Sequence, residues 1–128
     1  MIQLQELRIG NYVEYRIQDE LDDRKEWWEL SIIDSTDLQI LEIGIYDDYR
    51  AIPLTEEILL KFRYKKIRDN EFLFDNHFII FIKESEIDFC LFNSEGNDFF
   101  VCEIQFAHEL QNLHYSIRKE ELKFKDIS

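Results

Sequence analysis

The amino-acid sequence predicts an α+β fold: a mainly antiparallel sheet of short strands, with one short and one longer amphipathic helix packed on it. Three observations carry this expectation. Short segments alternate apolar and polar residues near the N-terminus and again between residues 71 and 104. Polar turn-forming pairs such as Asp75-Asn76 separate them. Two other segments, about 55–63 and about 104–118, repeat their apolar residues every three to four positions instead. With 128 residues, 45% hydrophobic and 15% aromatic, the chain is long and apolar enough for one core. No stretch has linker composition and no repeat is visible, so a single domain over 1–128 is expected.

The elements follow in order. Gly10-Asn11 marks a turn. In NYVEYRI, Val13, Tyr15 and Ile17 share one face of a strand, with Tyr12, Glu14 and Arg16 on the other. DELDDRKE (19–26) has no apolar pattern apart from Leu21 and reads as an exposed loop or hairpin tip. WWELSII (27–33) resumes alternation with Trp28, Leu30 and Ile32 on one side. DLQILEIGIY (37–46) reads as a third strand after a polar turn at Asp34-Ser35-Thr36. In IPLTEEILLKF, Thr55 is placed to cap a helix, Glu56 and Glu57 sit in its positive first turn, and Leu54 and Leu59 form a hydrophobic staple. EFLFDNHFIIFIK reads as a hairpin turning at Asp75-Asn76, which tolerate positive φ. IDFCLFN (87–93) and DFFVCEI (98–104) form a second hairpin. Its apolar residues fall on both faces, one expected to meet a helix and the other the N-terminal strands. The last helix carries the stripe Phe106, Leu110, Leu113 and Ile117, and EELKFKDIS beyond it reads as a short strand or a tail.

Charge bounds function more tightly than composition does. Twenty-eight acidic against fifteen basic side chains give a net charge of −13. Such a field repels nucleic acid and anionic membrane and attracts basic proteins. Direct nucleic-acid contact by the chain alone is therefore not expected, nor is membrane binding. Cys90 and Cys102 lie in apolar runs at a spacing that fits neither a zinc site nor a disulfide framework, so both are expected as buried free thiols in a reducing cytoplasm. MIQLQELRIG has no basic n-region or long apolar stretch, so no signal peptide is read and a cytoplasmic location is expected.

One stretch, AHELQNLHYSI, begins like a metalloprotease helix. A zincin needs H-E-x-x-H, because residues four apart stack on one helix face and bring both imidazoles to one ion. Here Asn112 stands four after His108, and His114, six after, is turned away by about 120°. The stripe places His108 on the solvent side and His114 near its edge. His77 falls at a turn, the acidic clusters lack calcium-loop spacing, and RIGNYV lacks a phosphate loop's glycines and lysine. No catalytic, cofactor-binding or metal-binding residue is assigned, and no enzyme activity is expected.

The remaining clue is an acidic exterior with aromatics beside it. Tyr12 and Trp27 fall opposite the apolar faces, and Tyr46, Tyr49 and Tyr115 adjoin polar residues. Tyr and Trp next to carboxylates suit protein interfaces. The expected partner-binding residues are Asp19, Glu20, Asp22, Asp23, Asp47 and Asp48 for charge, with Trp27 and Tyr49 as anchors. The basic run Lys61, Arg63, Lys65, Lys66 and Arg68 reads as a solvated helix end and strand and not as an RNA contact.

Three stretches, ELRIGNYVEY (6–15), IPLTEEILLKF (52–62) and HELQNLHYSIRKEEL (108–122), resemble blocks in small uncharacterised proteins of phages and prophages of Bacteroidota. That family follows the first helix's Phe with Gly, where this chain has Arg63. It carries a Thr-Gly pair after the last helix, where this chain has Arg118-Lys119. Both departures alter helix caps and no reactive group. The resemblance implies a phage-type accessory protein and transfers no catalytic residue. By analogy it implies an inhibitor of bacterial defence of the anti-CRISPR kind. Its partner would be a basic, nucleic-acid-handling protein, in the sharpest form a guide-RNA-dependent nuclease or its ribonucleoprotein. The alternatives are a phage structural, assembly or general interaction module, marked by self-association, and a small carboxylate- or metal-dependent enzyme, marked by a stoichiometric ion.

Overall fold

The computed structural model describes residues 7–45, 47–93 and 95–125, leaving the Asp23 side chain also undescribed. In chain order the elements are β1 (Tyr12–Asp19), β2 (Asp22–Ile32), α1 (Ser35–Glu42), β3 (Tyr49–Arg50), α2 (Glu56–Lys61), β4 (Lys65–Arg68), β5 (Glu71–Phe74), β6 (Phe78–Ile82), β7 (Ile87–Phe92), β8 (Asp98–Ile104) and α3 (Ala107–Arg118). They form two antiparallel sheets with helices, an α+β fold. The chain divides into two compact units. One comprises Met1–Pro53 with Phe106–Glu121, and the other Leu54–Gln105 with Leu122–Ser128. No described helix is long and apolar enough to cross a membrane.

The first unit is built on the sheet β2-β1-β3. β1 and β2 pair from Tyr12↔Ile32 to Gln18↔Glu26 and, after a register shift, at Asp19↔Asp22, so residues 22–26 belong to the strand and Glu20 and Leu21 form the hairpin tip. Cross-strand pairing and two-residue closure override the lack of apolar alternation there. Val13, Ile33, Leu41 and Tyr49 are buried together, with Leu7 at the margin.

The expected third strand at 37–46 is instead α1, and its cap explains why. Asp34 accepts a hydrogen bond from the Asp37 N–H (2.9 Å), and Asp37 Oδ2 accepts one from the Asp34 N–H (3.0 Å). This reciprocal box satisfies two otherwise free amides, and Leu38 and Leu41, three apart, then face the core. The Asp34-Ser35-Thr36-Asp37 sequence is a helix start that reads equally as a turn.

The buried face of α3 overlaps its apolar stripe at Leu110 but is rotated from it towards polar positions. Ala107, His108, Leu110, Gln111 and His114 are buried, whereas Ile117 is 45% exposed. His108, expected on the solvent side, is fully buried with its ring stacked on Phe106 at 5.9 Å. Tyr12, expected exposed, is also buried, and Leu30 and Ile32, expected inside, are exposed. Gln111 takes its place on the buried face of α3 because both ends of its amide find main-chain partners there.

The second unit carries the sheet β4-β5-β6-β7-β8. Thr55 Oγ1 caps α2 by accepting from the Ile58 N–H, as expected, and Leu54 and Leu59 of the staple are both buried. Asp75 and Asn76 take φ of 52° and 59°, the mirror-image turn that matches strand twist, and the Phe74 carbonyl accepts from the His77 N–H. The rings of Phe78 and Phe89 lie 5.4 Å apart inside the unit, and Phe124 packs on Phe62 at 4.6 Å, docking the tail segment. β4, carrying the basic run, is exposed throughout, with Lys66 paired to Glu56 at 2.9 Å. β8 differs from expectation: as the end strand it leaves Phe99, Phe100 and Val101 exposed. Arg63 and Lys119, just past α2 and α3, take positive φ of 73° and 60°.

Candidate functional site

The expected partner-binding residues lie on or beside the β1–β2 hairpin, in the first unit. Alternation gives the hairpin two faces. On one, Tyr15, Ile17 and Trp27 continue outward from buried Val13. On the other, Glu14, Arg16 and Trp28 form a ladder with the neighbouring strand β3. There Arg50 Nε donates to Glu14 Oε1 (2.8 Å), and its guanidinium covers Trp28 at 4.2 Å.

The structure sorts the eight residues. Asp19 caps the turn by accepting from the Leu21 N–H (2.9 Å), and Asp22 accepts from the Arg24 N–H (3.0 Å). Glu20 is exposed, and Leu21 between these acids is 97% exposed. Asp23 belongs to β2, but its side chain lies outside the description. Trp27 is 45% exposed, and its indole N–H donates to Glu29 (2.8 Å). Asp47 is exposed. Asp48 Oδ1 accepts from Arg16 Nε and Nη2 (3.1 and 2.8 Å), a bond that raises the guanidinium's pKa; this carboxylate is already neutralised.

Tyr49 needs correction: it is buried, not an exposed anchor. Its ring meets Tyr15 edge-on at 5.1 Å, and its hydroxyl donates to Asp37 Oδ1 (2.8 Å). Burial and that carboxylate push the phenol pKa up. Tyr115 is 40% exposed under the Arg8 guanidinium, and Tyr46 lies outside the described residues. What remains presented to solvent is Glu20 and Leu21 at the tip, flanked by half-buried Asp19 and by Asp22 paired with Arg24 (3.3 Å), together with Asp47 and with Trp27 farther along β2.

Sequence reasoning missed the strongest polar constellation in this unit. Arg8, Gly10 and Asn11 meet Gln111, Asn112, Tyr115 and Glu121, about a hundred positions on. Gln111 Oε1 accepts from the Tyr12 N–H (2.7 Å), and its Nε2 donates to the Gly10 carbonyl (3.2 Å). Asn11 Nδ2 donates to Asn112 Oδ1 (2.8 Å), and Asn11 Oδ1 accepts from the Arg8 N–H (2.6 Å). Arg8 Nε donates to Asn112 Oδ1 (3.1 Å), and the guanidinium pairs with Glu121. Gly10, at φ 96°, leaves only 3.4 Å between the position of an added Cβ and Glu121. Residues 8–12 and 111–121 are thus two halves of one clamp. Asn11 and Gln111 are both wholly buried, which nothing local in the sequence announces.

Reactive chemistry is suppressed where it is most expected. Burial, with Arg118 nearby, pushes the His114 imidazole down to about 3, so it stays neutral. Cys90 is buried as expected, and burial pushes its thiol up to about 11, whereas Cys102 is only half-buried. Among the described residues no three His, Cys, Asp or Glu side chains come together to hold a metal ion. Compared with known proteins, the chain matches no family model, no curated protein and no solved structure.

Proposed function

We propose that this chain is a non-enzymatic, acidic phage-type binding protein that docks on a basic, nucleic-acid-handling bacterial defence protein and inhibits it. A guide-RNA-dependent nuclease is the sharpest form of the partner. The observation that carries the reading is the hairpin tip, where Asp19, Glu20 and Asp22 surround an almost fully exposed leucine on a chain of net charge −13. The carboxylates attract a nucleic-acid groove's lysines and arginines and compete with phosphate for them. Leu21 and Trp27 supply apolar contact once the acids have brought the surfaces together. Asp48 and Tyr49, already engaged within the fold, support the hairpin and do not touch the partner.

The test is cleavage by a purified guide-RNA-dependent nuclease, with the native chain and with an Asp19→Asn, Glu20→Gln, Asp22→Asn variant. The native chain should slow cleavage, less so as salt rises, and the variant should require at least about tenfold more protein, the loss of roughly 1.4 kcal/mol. Equal potency of the two chains, or no effect of either, removes the proposal.

A further inference from the structure

The second unit contains an open cleft of about 430 Å³ lined by Phe81, Lys83, Asp88, Cys90, Asp98 and Phe100. That is the size range of small-ligand sites. Pairing across the sheet builds it: Phe81 opposes Asp88, Cys90 opposes Phe100, and Asp98 stands at the start of β8. From these residues and their bonding we infer that the cleft receives one arginine side chain from an extended segment of a protein partner, and that Lys83 occupies its place meanwhile.

Asp88 is the central group. The residue is only 6% exposed, yet Oδ1 is buried without a hydrogen-bond partner. Oδ2 is held by Lys83 Nζ at 2.6 Å. A carboxylate has about four acceptor positions, and leaving a buried one empty is costly. Lys83 is a compact ammonium whose side chain is 53% exposed, so it can leave for water. A guanidinium replacing it brings five donors in a planar fork, enough to engage both Asp88 oxygens.

The rest of the cleft suits the same group. Asp98 forms no ion pair among the described residues and adds a second charge. Phe81 and Phe100 offer aromatic surface against which a guanidinium packs favourably, and Phe100 is 62% exposed. Cys90 is a protonated, buried thiol and serves as apolar lining. The absence of a three-ligand cluster among the described residues argues for an organic cation over a metal.

β8 argues for an extended segment as the source. It ends the sheet, and residues 98–101 and 103 are exposed, so its outer edge offers a partner strand main-chain pairing beside the cleft. Complementarity of charge selects a basic strand. This inference uses no residue of the β1–β2 hairpin and goes beyond the function proposed above.

The experiment is an amide NMR titration of the full chain with Nα-acetyl-argininamide, its neutral isostere Nα-acetyl-citrullinamide, and the capped peptide Val-Arg-Val. Argininamide should shift resonances of residues 81–103 with a Kd of roughly millimolar order, and citrullinamide at least about tenfold weaker. The peptide should bind tighter than the amide. Asp88→Asn should abolish binding and Phe100→Ala weaken it, whereas Lys83→Gln should strengthen it several-fold by removing the resident cation. The hairpin-neutralised variant should bind argininamide unchanged, which separates failure here from failure of the proposed function. Equal binding of citrullinamide, retained binding by Asp88→Asn in a chain with a native spectrum, or weaker binding by Lys83→Gln overturns the inference. Peptide binding no tighter than that of the amide, or self-association through β8 in its stead, overturns the strand component.

Discussion

The clamp that joins residues 8–12 to α3 and the cleft around Asp88 both bury polar side chains, but they satisfy them differently. In the clamp, Asn11 uses both its amide oxygen and its nitrogen, and Gln111 holds a main-chain donor with one end and a main-chain acceptor with the other. In the cleft, one oxygen of Asp88 is held by a half-exposed lysine and the other by nothing. The first pattern closes on itself and contributes specificity to the fold. The second leaves an acceptor open. Completeness of hydrogen bonding, not burial, is what separates the clamp from the cleft.

Apolar replacement tests this contrast most directly. Gln111→Leu should destabilise the chain by about 3 kcal/mol, because it strands the Tyr12 N–H and the Gly10 carbonyl in the interior. Urea unfolding measures it, and a loss below about 1 kcal/mol would mean that water or a shifted backbone completes the clamp without Gln111.

A smaller effect separates a buried group kept neutral from one kept charged. The folded His114 binds its proton only near pH 3, while the unfolded imidazole does so near about 6.5. Protons then favour the unfolded state, so stability falls as pH drops through the unfolded value and continues to fall towards 3. At pH 5 this costs about 2 kcal/mol relative to pH 7.5, and His114→Gln should lack that component. Carboxylates add to the acid slope in both proteins, so the difference between the two curves is what matters. Coincident curves would show that the imidazole is hydrated.

The smallest change is expected at the cleft. Asp88→Leu removes an unsatisfied oxygen and frees Lys83 to water, so stability should stay within about 1 kcal/mol of the native chain or rise. A loss above about 2 kcal/mol would make Asp88 a structural residue and erase the contrast with the clamp.

How much was legible beforehand depends on the range of the interactions. α2, the Asp75-Asn76 hairpin and the β7–β8 hairpin were readable, since a cap at Thr55, positive-φ residues and alternation act within a few positions. α1 was misread although its signal was local: Asp34 and Asp37 serve a turn and a capping box equally until the second bond is made. The acids of the hairpin were legible as charge. That Asp48 is neutralised by Arg16 was not, because Arg16 lies 32 positions away.

By itself, the sequence determined the strand and turn rhythm, the negative exterior and the absence of an H-E-x-x-H pair, all set by neighbours along the chain. Only the tertiary structure decided which face of α3 is inside, that Tyr12, Tyr49 and His108 are buried, and that Asp88 is left one partner short. Those outcomes depend on groups tens to a hundred residues apart competing for the same donors and acceptors. Periodicity registers which residues are apolar, but not which polar ones will find a partner once water is gone.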